Sequence, residues 1–343
     1  MENHMIRAGI VGVSGYSGCS VLEILLKHPF VRITYVSANN TEGKVADLWP
    51  HFRQRTKLYC HKYDYDEAAE NCDLIFQAVP HTVAFTLVPP LLKAGIRVID
   101  LSGDYRLNSA AEYKAWYGTA HKDKLNLKKA VYGLPELFRV AIRDADLVSN
   151  PGCYPTAAIL SLAPMVAIYT DSIENIIIDA KSGVSGAGKK LSPAMMFKEI
   201  HENFRAYKVT RHQHTPEIEQ FLSKIAGKAM NITFVPHLLP IDRGILETIY
   251  VKLTTEISLA EIHALYQRFY KTELFIRVLP LETQAETQHV RGTNFCDISL
   301  AMNQKKDTLI ITSAIDNLIK GAAGQAVQNM NIMCDFEEEI SLI

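Results

Sequence analysis

An apolar run, Ala8-Gly9-Ile10-Val11, passes directly into Gly12-Val13-Ser14-Gly15-Tyr16-Ser17-Gly18, and Val21 to Leu26 then reads as a helix stopped by Pro29. A buried strand that enters a glycine turn and leaves as a helix is the opening unit of a parallel sheet, and few other folds accept that sequence of events. Glycines at 12, 15 and 18 permit a tight turn, close approach of backbone to a phosphate and close helix–strand packing, while the helix N-terminus attracts the anion. The spacing is G-x-x-G-x-x-G in place of the usual G-x-G-x-x-G. Gly12, Ser14, Gly15, Tyr16, Ser17 and Gly18 are therefore the expected dinucleotide contacts.

The second strand, Val31 to Ala38, ends without the Asp or Glu that would hold the ribose 2′-hydroxyl of NAD. Ser37, Asn39, Asn40, Thr41 and Lys44 offer hydroxyl, amide and ammonium donors instead. They suit a 2′-phosphate, so NADP is the expected cofactor, with Ser37 and Asn39 among its contacts. Strands at Asp73 to Ala78 and Arg97 to Leu101 flank a helical stretch, Val83 to Gly95, interrupted by prolines. Strands alternating with helices imply a parallel sheet with ligands at its carboxyl edge. Two strand ends lie there. Val79-Pro80-His81 either borders the cofactor or caps the following helix. Arg106, in Asp100 to Leu107, is a planar cation for phosphate or carboxylate, or else the ion-pair partner of Asp104 or Asp100.

Ser149-Asn150-Pro151-Gly152-Cys153-Tyr154-Pro155-Thr156 follows the strand-like Asp146-Leu147-Val148 and opens an apolar helical pattern. Pro-Gly tightens the turn, and Pro155 suits a first helical position. Cys153 is thus expected at a helix N-terminus, where backbone N–H groups and the helix dipole favour thiolate and can stabilise an oxyanion. That is an address for a nucleophile; the alternative is a small buried residue at a turn.

Beyond Cys153 clean strand–helix alternation gives way to longer loops and several strands, the pattern of a second, mixed α+β domain. The expected boundaries are 1–152, 153–314 and a C-terminal helix over 315–343 that returns to the first domain and brings Asn317 near the cofactor. Ile176 to Ala180 runs into Lys181 to Gly188 and Lys189-Lys190, a glycine-serine segment that reads as a binding loop or a linker. In Arg211-His212-Gln213-His214-Thr215-Pro216-Glu217, an extended Val209 to His214 puts both histidines on one face and leaves Thr215 to cap a helix. His-x-His serves acid–base chemistry, metal binding with Cys153, or structure alone; no companion C-x-x-C or H-E-x-x-H supports a metal.

Composition narrows the partners. With 343 residues, 48% hydrophobic, 21% charged and a net charge of -1, the chain has no general attraction to nucleic acid or anionic membrane. Six cysteines without a C-x-x-C pair argue for a reducing compartment, and with no secretory pattern a cytoplasmic location is expected. Glu337-Glu338-Glu339 reads as a solvated tail.

Over nearly its whole length the chain resembles the N-acetyl-γ-glutamyl-phosphate reductase family of arginine biosynthesis. The carrying residues are Gly12 to Gly18, Asp100 to Leu107, Tyr132 to Leu137, Asn150 to Ala157, Ser182 to Gly188, His212 to Glu219 and Asp316 to Gln328. One departure is Gln213, where the family commonly carries Arg. The resemblance implies a Rossmann domain plus a semialdehyde-dehydrogenase-like α+β domain that makes subunit contacts, in a dimer or tetramer. It implies an acyl-phosphate substrate, a Cys153 thioester and hydride from NADPH. His214 would do the acid–base work, oriented by His212 and Glu217. Arg106, Ser182 and Gly183 would hold the substrate, while Ser185, Gly186 and Asn317 would meet the cofactor. The rivals are a lysine-route reductase acting on a carrier-bound substrate, aspartate-semialdehyde dehydrogenase, and a silent NADP-binding sensor on the same fold.

Overall fold

The computed structural model describes residues 5–39, 41–189 and 197–343; Asn40 and Lys190 lie outside them. The chain forms two compact units, Met1–Pro151 with Ala322–Ile343, and Gly152–Gly321.

The first unit runs β1 (Ile6–Val11), α1 (Tyr16–Leu25), β2 (Val31–Ser37), β3 (Gly43–Lys44), α2 (Val45–Leu48), β4 (Tyr59–Cys60), α3 (Tyr65–Asn71), β5 (Leu74–Gln77), α4 (Ala84–Lys93), β6 (Arg97–Asp100), α5 (Ala110–Tyr117), α6 (Lys124–Leu127), β7 (Val131–Tyr132), α7 (Pro135–Arg143) and β8 (Leu147–Ser149). Six strands make one sheet in the order β2-β1-β5-β6-β8-β7, parallel at every pairing. Both faces are covered, so the strands read as apolar runs without alternation. Val11, Ile75, Val98 and Leu147 face a core shared with Phe85, Val88 and Leu91 of α4. This burial keeps α4 continuous through Pro89 and Pro90, although each proline removes an intrahelical bond. The sequence pattern had suggested an interruption there. The last strand residues Ser37, Val11, Gln77, Asp100 and Ser149 stand in one lateral row, so the carboxyl edge is polar where the strand bodies are not.

The second unit contains α8 (Cys153–Tyr169), β9 (Ile173–Ser182), α9 (Phe197–Ile200), β10 (Arg205–Ala206), α10 (His214–Ala226), β11 (Thr233–Leu238), β12 (Ile245–Leu253), α11 (Leu259–Phe269), β13 (Ile276–Val278), α12 (Thr287–Val290), β14 (Cys296–Met302) and β15 (Thr308–Ile315). Its sheet has the mixed order β10-β11-β9-β12-β15-β14-β13. α8 is apolar on all sides and buried from Tyr154 to Val166, the pattern of a central core helix. It packs against α10, α11, β9, β12 and β15. Tyr266 of α11 donates to the Ser161 carbonyl at 2.6 Å, fastening α11 to it.

Ile315 ends a strand, Asp316 and Asn317 form a turn, and a π-helical segment, Ile319–Ala323, leads into α13 (Gly324–Met333). Two elements thus divide a run that reads as one helix in the sequence. α13 packs on α1, α7 and β6 within the first unit. The acidic tail is less solvated than its composition suggests: Arg139 pairs with Glu338, Gln328 Nε2 donates to Glu338 Oε2 at 3.0 Å, and Asn331 Nδ2 donates to the Glu338 carbonyl at 3.0 Å.

Candidate active site

In the first unit the glycine turn takes its shape from missing side chains. Gly12 has φ +98°, and a Cβ there would lie 2.1 Å from the Ala78 carbonyl oxygen; at Gly18 it would lie 2.3 Å from the Gly12 oxygen. Gly15, the N-cap of α1, supplies no side-chain cap, and a Cβ there would meet nothing closer than 3.5 Å. The protein therefore dictates glycine at 12 and 18. At 15 a Cβ would make only an ordinary contact, so the glycine there is not required by packing and leaves the backbone bare for a phosphate to approach. Ser14, Tyr16 and Ser17 occupy the same turn, all partly exposed.

Ser37 differs from expectation. Its side chain is fully buried, and its carbonyl accepts from the N–H of Gly12 at 2.7 Å and of Val13 at 3.1 Å. It braces the glycine turn from behind, while Asn39 is exposed beyond the strand end. His81 accepts through Nδ1 from the Gly103 N–H at 2.9 Å and so ties two strand-end loops together.

Arg106 is only 6% exposed. Its Nε donates to the Asn150 carbonyl and Nη2 to the Leu101 carbonyl, each at 2.9 Å. The guanidinium thus pins the loop after β6 to the residue after β8. Asn150 is gripped further: its N–H donates to the Asp100 carbonyl at 2.8 Å, Nδ2 donates to the Ala322 carbonyl at 3.1 Å, and Oδ1 accepts from Asn329 Nδ2 at 3.1 Å.

In the second unit Cys153 is the first residue of α8, after the N-cap Gly152, and Pro155 is therefore third instead of first. A third position still tolerates proline, because N–H groups of the first turn have no intrahelical acceptor. Cys153 is partly exposed. A Cβ on Gly152 would lie 2.5 Å from His214 Nε2, and one on Gly321 would lie 2.8 Å from the Cys153 Cβ. Bare backbone on either side of the cysteine lets an imidazole in from one direction and a turn from the other.

The two histidines do not share a strand face. Residues 209–211 form a turn, and α10 begins at His214, so Thr215 lies inside the helix and Gln213 is the N-cap without a side-chain cap bond. The capping is done by His212, whose Nδ1 accepts from the His214 N–H at 3.2 Å. The two rings meet edge-to-face at 4.6 Å. Tyr154, Tyr207 and Phe234 surround His212, with Tyr154 OH 3.2 Å from Tyr207 OH. Burial pushes the Tyr207 hydroxyl up to about 12 and raises that of Tyr154 as well, so both walls stay neutral at physiological pH. Among the described residues no cluster of metal-ligand type occurs.

Glu217, wholly buried, accepts through Oε1 from the Gly152 N–H at 2.8 Å. Thr156 donates through N–H and Oγ1 to the Gly152 carbonyl at 2.9 and 3.0 Å. Glu217 thus holds the nucleophile turn directly. Gln213, in place of the usual arginine, accepts through Oε1 from Lys208 Nζ at 3.1 Å.

The glycine-serine segment is built in. Ser182 ends β9, and a Cβ on Gly183 would lie 2.7 Å from the Asp242 carbonyl. Ser185 Oγ donates to the Asp242 carbonyl at 2.6 Å and accepts from Asn317 Nδ2 at 3.0 Å. Asn317 Oδ1 accepts from the Gly244 N–H at 2.8 Å. Ser185 and Asn317 are therefore buried members of one network, with Gly186 exposed beside them. The sequence reading overlooked Tyr207, Asn329 and Glu247. Nothing local marks Asn329 or Tyr207. Glu247 carries a signal, an acid inside an apolar β-branched strand; it is fully buried on β12, and burial drives its carboxyl well above the usual range.

A glycine turn on a parallel sheet and a cysteine at a helix N-terminus in a second, mixed-sheet unit define the two-domain semialdehyde dehydrogenase class. Residues 7–145 match the model of the semialdehyde dehydrogenase NAD binding domain, and residues 153–317 that of the dimerisation domain. In structure the chain is similar to aspartate semialdehyde dehydrogenase from Candida albicans, solved with NADP, at TM-score 0.74 and 14% identity over 96% of this chain and 98% of that one. It is similar to aspartate semialdehyde dehydrogenase II from Vibrio cholerae at TM-score 0.71 and 16% identity, over 96% and 98%. Those likenesses define the fold. In sequence it is 51% identical to the N-acetyl-gamma-glutamyl-phosphate reductase of Desulfotalea psychrophila and 49% identical to that of Geobacter sulfurreducens, over 98% of each chain. The chain belongs to the N-acetyl-γ-glutamyl-phosphate reductase family.

Proposed function

We infer that this protein reduces N-acetyl-L-glutamyl 5-phosphate to N-acetyl-L-glutamate 5-semialdehyde and phosphate, in arginine biosynthesis, through a thioester on Cys153. The observation that carries this is the nucleophile turn: a partly exposed thiol at the first position of α8, next to a Gly152 that is braced by Glu217 and covered by His214.

Cys153 sulfur attacks the acyl carbon, the carbon–oxygen bond to phosphate breaks, and phosphate leaves. A bound nicotinamide dinucleotide, NADPH on this reading, would supply the hydride that the thioester carbon accepts. His214 holds the proton at the resulting tetrahedral oxygen and at the sulfur, and loss of the carbon–sulfur bond releases the aldehyde and restores the thiolate. First-turn N–H groups of α8 stabilise negative oxygen in both steps. His212 fixes the start of α10 and thereby the His214 ring.

NADP is preferred to NAD on this reading. Its support is the strand end after Ser37, which offers Asn39 and no carboxylate for a ribose hydroxyl. Gly12, Ser14, Gly15, Tyr16, Ser17 and Gly18 would cradle the dinucleotide phosphates, and Ser185, Gly186 and Asn317 are cofactor contacts on the same reading. Arg106, Ser182 and Gly183 serve the substrate's anionic groups. The enzyme works as a homo-oligomer in the cytoplasm. The match to a dimerisation domain supports the first, as do Ile177 and Tyr250, each 37% exposed on the sheet of that domain. Six cysteines, none of them in a disulfide, support the second.

The test is phosphate-dependent NADP⁺ reduction by purified protein. N-acetylglutamate semialdehyde keeps a carboxylate and has no ammonium, whereas aspartate semialdehyde is one methylene shorter and carries a free amine. Misplacing the carbonyl by about 1 Å costs on the order of a hundredfold, so kcat/KM should favour the acetylated compound by at least roughly that factor. Equal use of the aspartate compound, or activity only with an added carrier protein, would overturn the substrate assignment.

A further inference from the structure

The loop after β6 concentrates charge away from solvent. Asp100 and Asp104 are 0% exposed and Arg106 is 6% exposed, two acids and one base within seven residues. Asp104 Oδ1 accepts from the Thr82 N–H at 2.7 Å and from Tyr113 OH at 2.6 Å. Among the described residues the Asp100 carboxyl accepts within its own loop, from the Ser102 N–H at 3.0 Å and Ser102 Oγ at 2.8 Å. Its lateral neighbours on β5 and β8 are Gln77 and Ser149, which are buried, uncharged and without hydrogen-bond partners at the Gln77 amide or at Ser149 Oγ. The other titratable groups facing the cluster are Tyr113 from α5, Tyr105, whose OH donates to Asp123 at 2.8 Å, His121, whose Nε2 lies 2.7 Å from the Asp104 carbonyl, and His81 on the Gly103 N–H. Burial lowers His121, keeping it neutral above pH 7, and raises both tyrosines far above physiological pH.

We propose that Asp100 is a positioning residue for the anionic substrate: gain or loss of its proton changes the charge beside Arg106 by one unit, and with it the hold of the guanidinium on the substrate. This rests on the reading of Arg106 as a substrate residue. Protonated Asp100 leaves Asp104 and Arg106 in balance. Ionised Asp100 leaves the loop with one net negative charge, which repels an anionic ligand and draws the guanidinium inward. Burial pushes the Asp100 carboxyl up to about 7, and Asp104 adds to the rise while the Ser102 bonds and Arg106 oppose it. The neutral, receptive form therefore prevails below that pH and the repelling form above it. A unit charge several ångströms away, at an effective dielectric near 20, changes binding by roughly tenfold or more.

The experiment measures KM for N-acetylglutamate semialdehyde at saturating phosphate from pH 6 to 8.5, roughly one unit either side of the transition. The semialdehyde's own carboxylate does not titrate there. In the wild type KM should rise roughly tenfold through the transition. Asp100→Asn should hold KM low and flat. Ser102→Ala, which removes a donor to the ionised carboxylate, should move the rise to higher pH, and it carries the test if Asp100→Asn fails to fold. A rise that persists unchanged in Asp100→Asn, or one that Ser102→Ala leaves in place, overturns the proposal. Arg106→Ala separates the two readings. If it raises KM while the Asp100→Asn profile matches wild type, only this proposal falls; if its KM equals wild type, the Arg106 reading falls with it.

Discussion

The turn at Gly12–Gly18 and the turn at Asn150–Thr156 both lead from a parallel strand into a helix, and neither helix carries a side-chain cap. The first is held in shape by subtraction: glycine at 12 and 18, where a Cβ would clash, and a bare, uncrowded position at 15. The second is held by addition. Within the first unit Asn150 is fixed by Asp100, Arg106 and Asn329, and within the second Gly152 is fixed by Glu217 and Thr156. Helices α3, α5, α6 and α11 are capped by Asp64, Ser109, Asp123 and Ser258, while α2, α4, α7, α10, α12 and α13 take no side-chain bond from the N-cap residue either. At these two starts the uncapped first turn leaves its N–H groups open to a ligand or a reacting atom, which a capping side chain would displace. What differs is the remedy: the glycine turn is braced by a main-chain carbonyl, that of Ser37, while the cysteine turn is held by the side chains of Glu217 and Thr156.

The largest effect should come from removing the atom that the second turn presents. Cys153→Ser should lower turnover by at least roughly a thousandfold while NADPH affinity stays at the wild-type value, since a hydroxyl is a far weaker nucleophile at neutral pH. Fluorescence titration of NADPH beside steady-state assays checks both halves. Turnover above a tenth of wild type would break the assignment of covalent chemistry to this turn.

The first turn should respond to its glycines unequally. Gly12→Ala meets both a positive φ and the Ala78 carbonyl at 2.1 Å, so the ligand-free protein should lose on the order of 2 kcal/mol or more of stability, along with dinucleotide binding. Gly15→Ala makes only an ordinary van der Waals contact, 3.5 Å from the Gly12 oxygen. Its ligand-free Tm should stay within about 1 °C of wild type, and only dinucleotide binding should weaken. Equal losses of Tm in the two variants would show that the bare position at 15 is not kept for a ligand.

The strand-to-helix frame of both turns is visible in the sequence because it rests on local signals: apolar runs, glycine spacing, Pro-Gly before the cysteine. What pins them is not, because it comes from distant chain. Glu217 reaches Gly152 across 65 positions and Asn329 reaches Asn150 across 179, and nothing in either neighbourhood announces the partner. Local patterning also misleads where a tertiary bond overrides it. His212-Gln213-His214 alternates like a strand, yet His212 Nδ1 takes the His214 N–H and starts a helix. Asp316 to Gln328 looks like one helix, but Asp316 Oδ1 accepts from the N–H groups of Leu318 and Ile319 at 2.8 and 3.1 Å and makes a turn first. Arg106 is a fair candidate for an anion site by residue type, and only the fold shows that two of its nitrogens hold main-chain carbonyls.

The smallest effect sharpens the comparison most, because Glu217 has two possible roles. The family resemblance has it orient His214; the geometry has its Oε1 hold the Gly152 N–H at 2.8 Å. A charge-assisted bond of this kind contributes about 1.5–3 kcal/mol, and a glutamine in its place keeps the acceptor but forfeits the charge. Glu217→Gln should therefore lower kcat roughly tenfold and slow alkylation of Cys153, leaving dinucleotide affinity in the first unit unchanged. The two roles part in a His214→Asn background. If Glu217 acts on the turn, Glu217→Gln still costs its roughly tenfold there, in kcat and in alkylation alike, since the two losses arise from different bonds and add. If it acts through the imidazole, its removal costs nothing more once the imidazole is gone, and the pinning of the nucleophile turn must then be assigned to Asn150 and Thr156 alone.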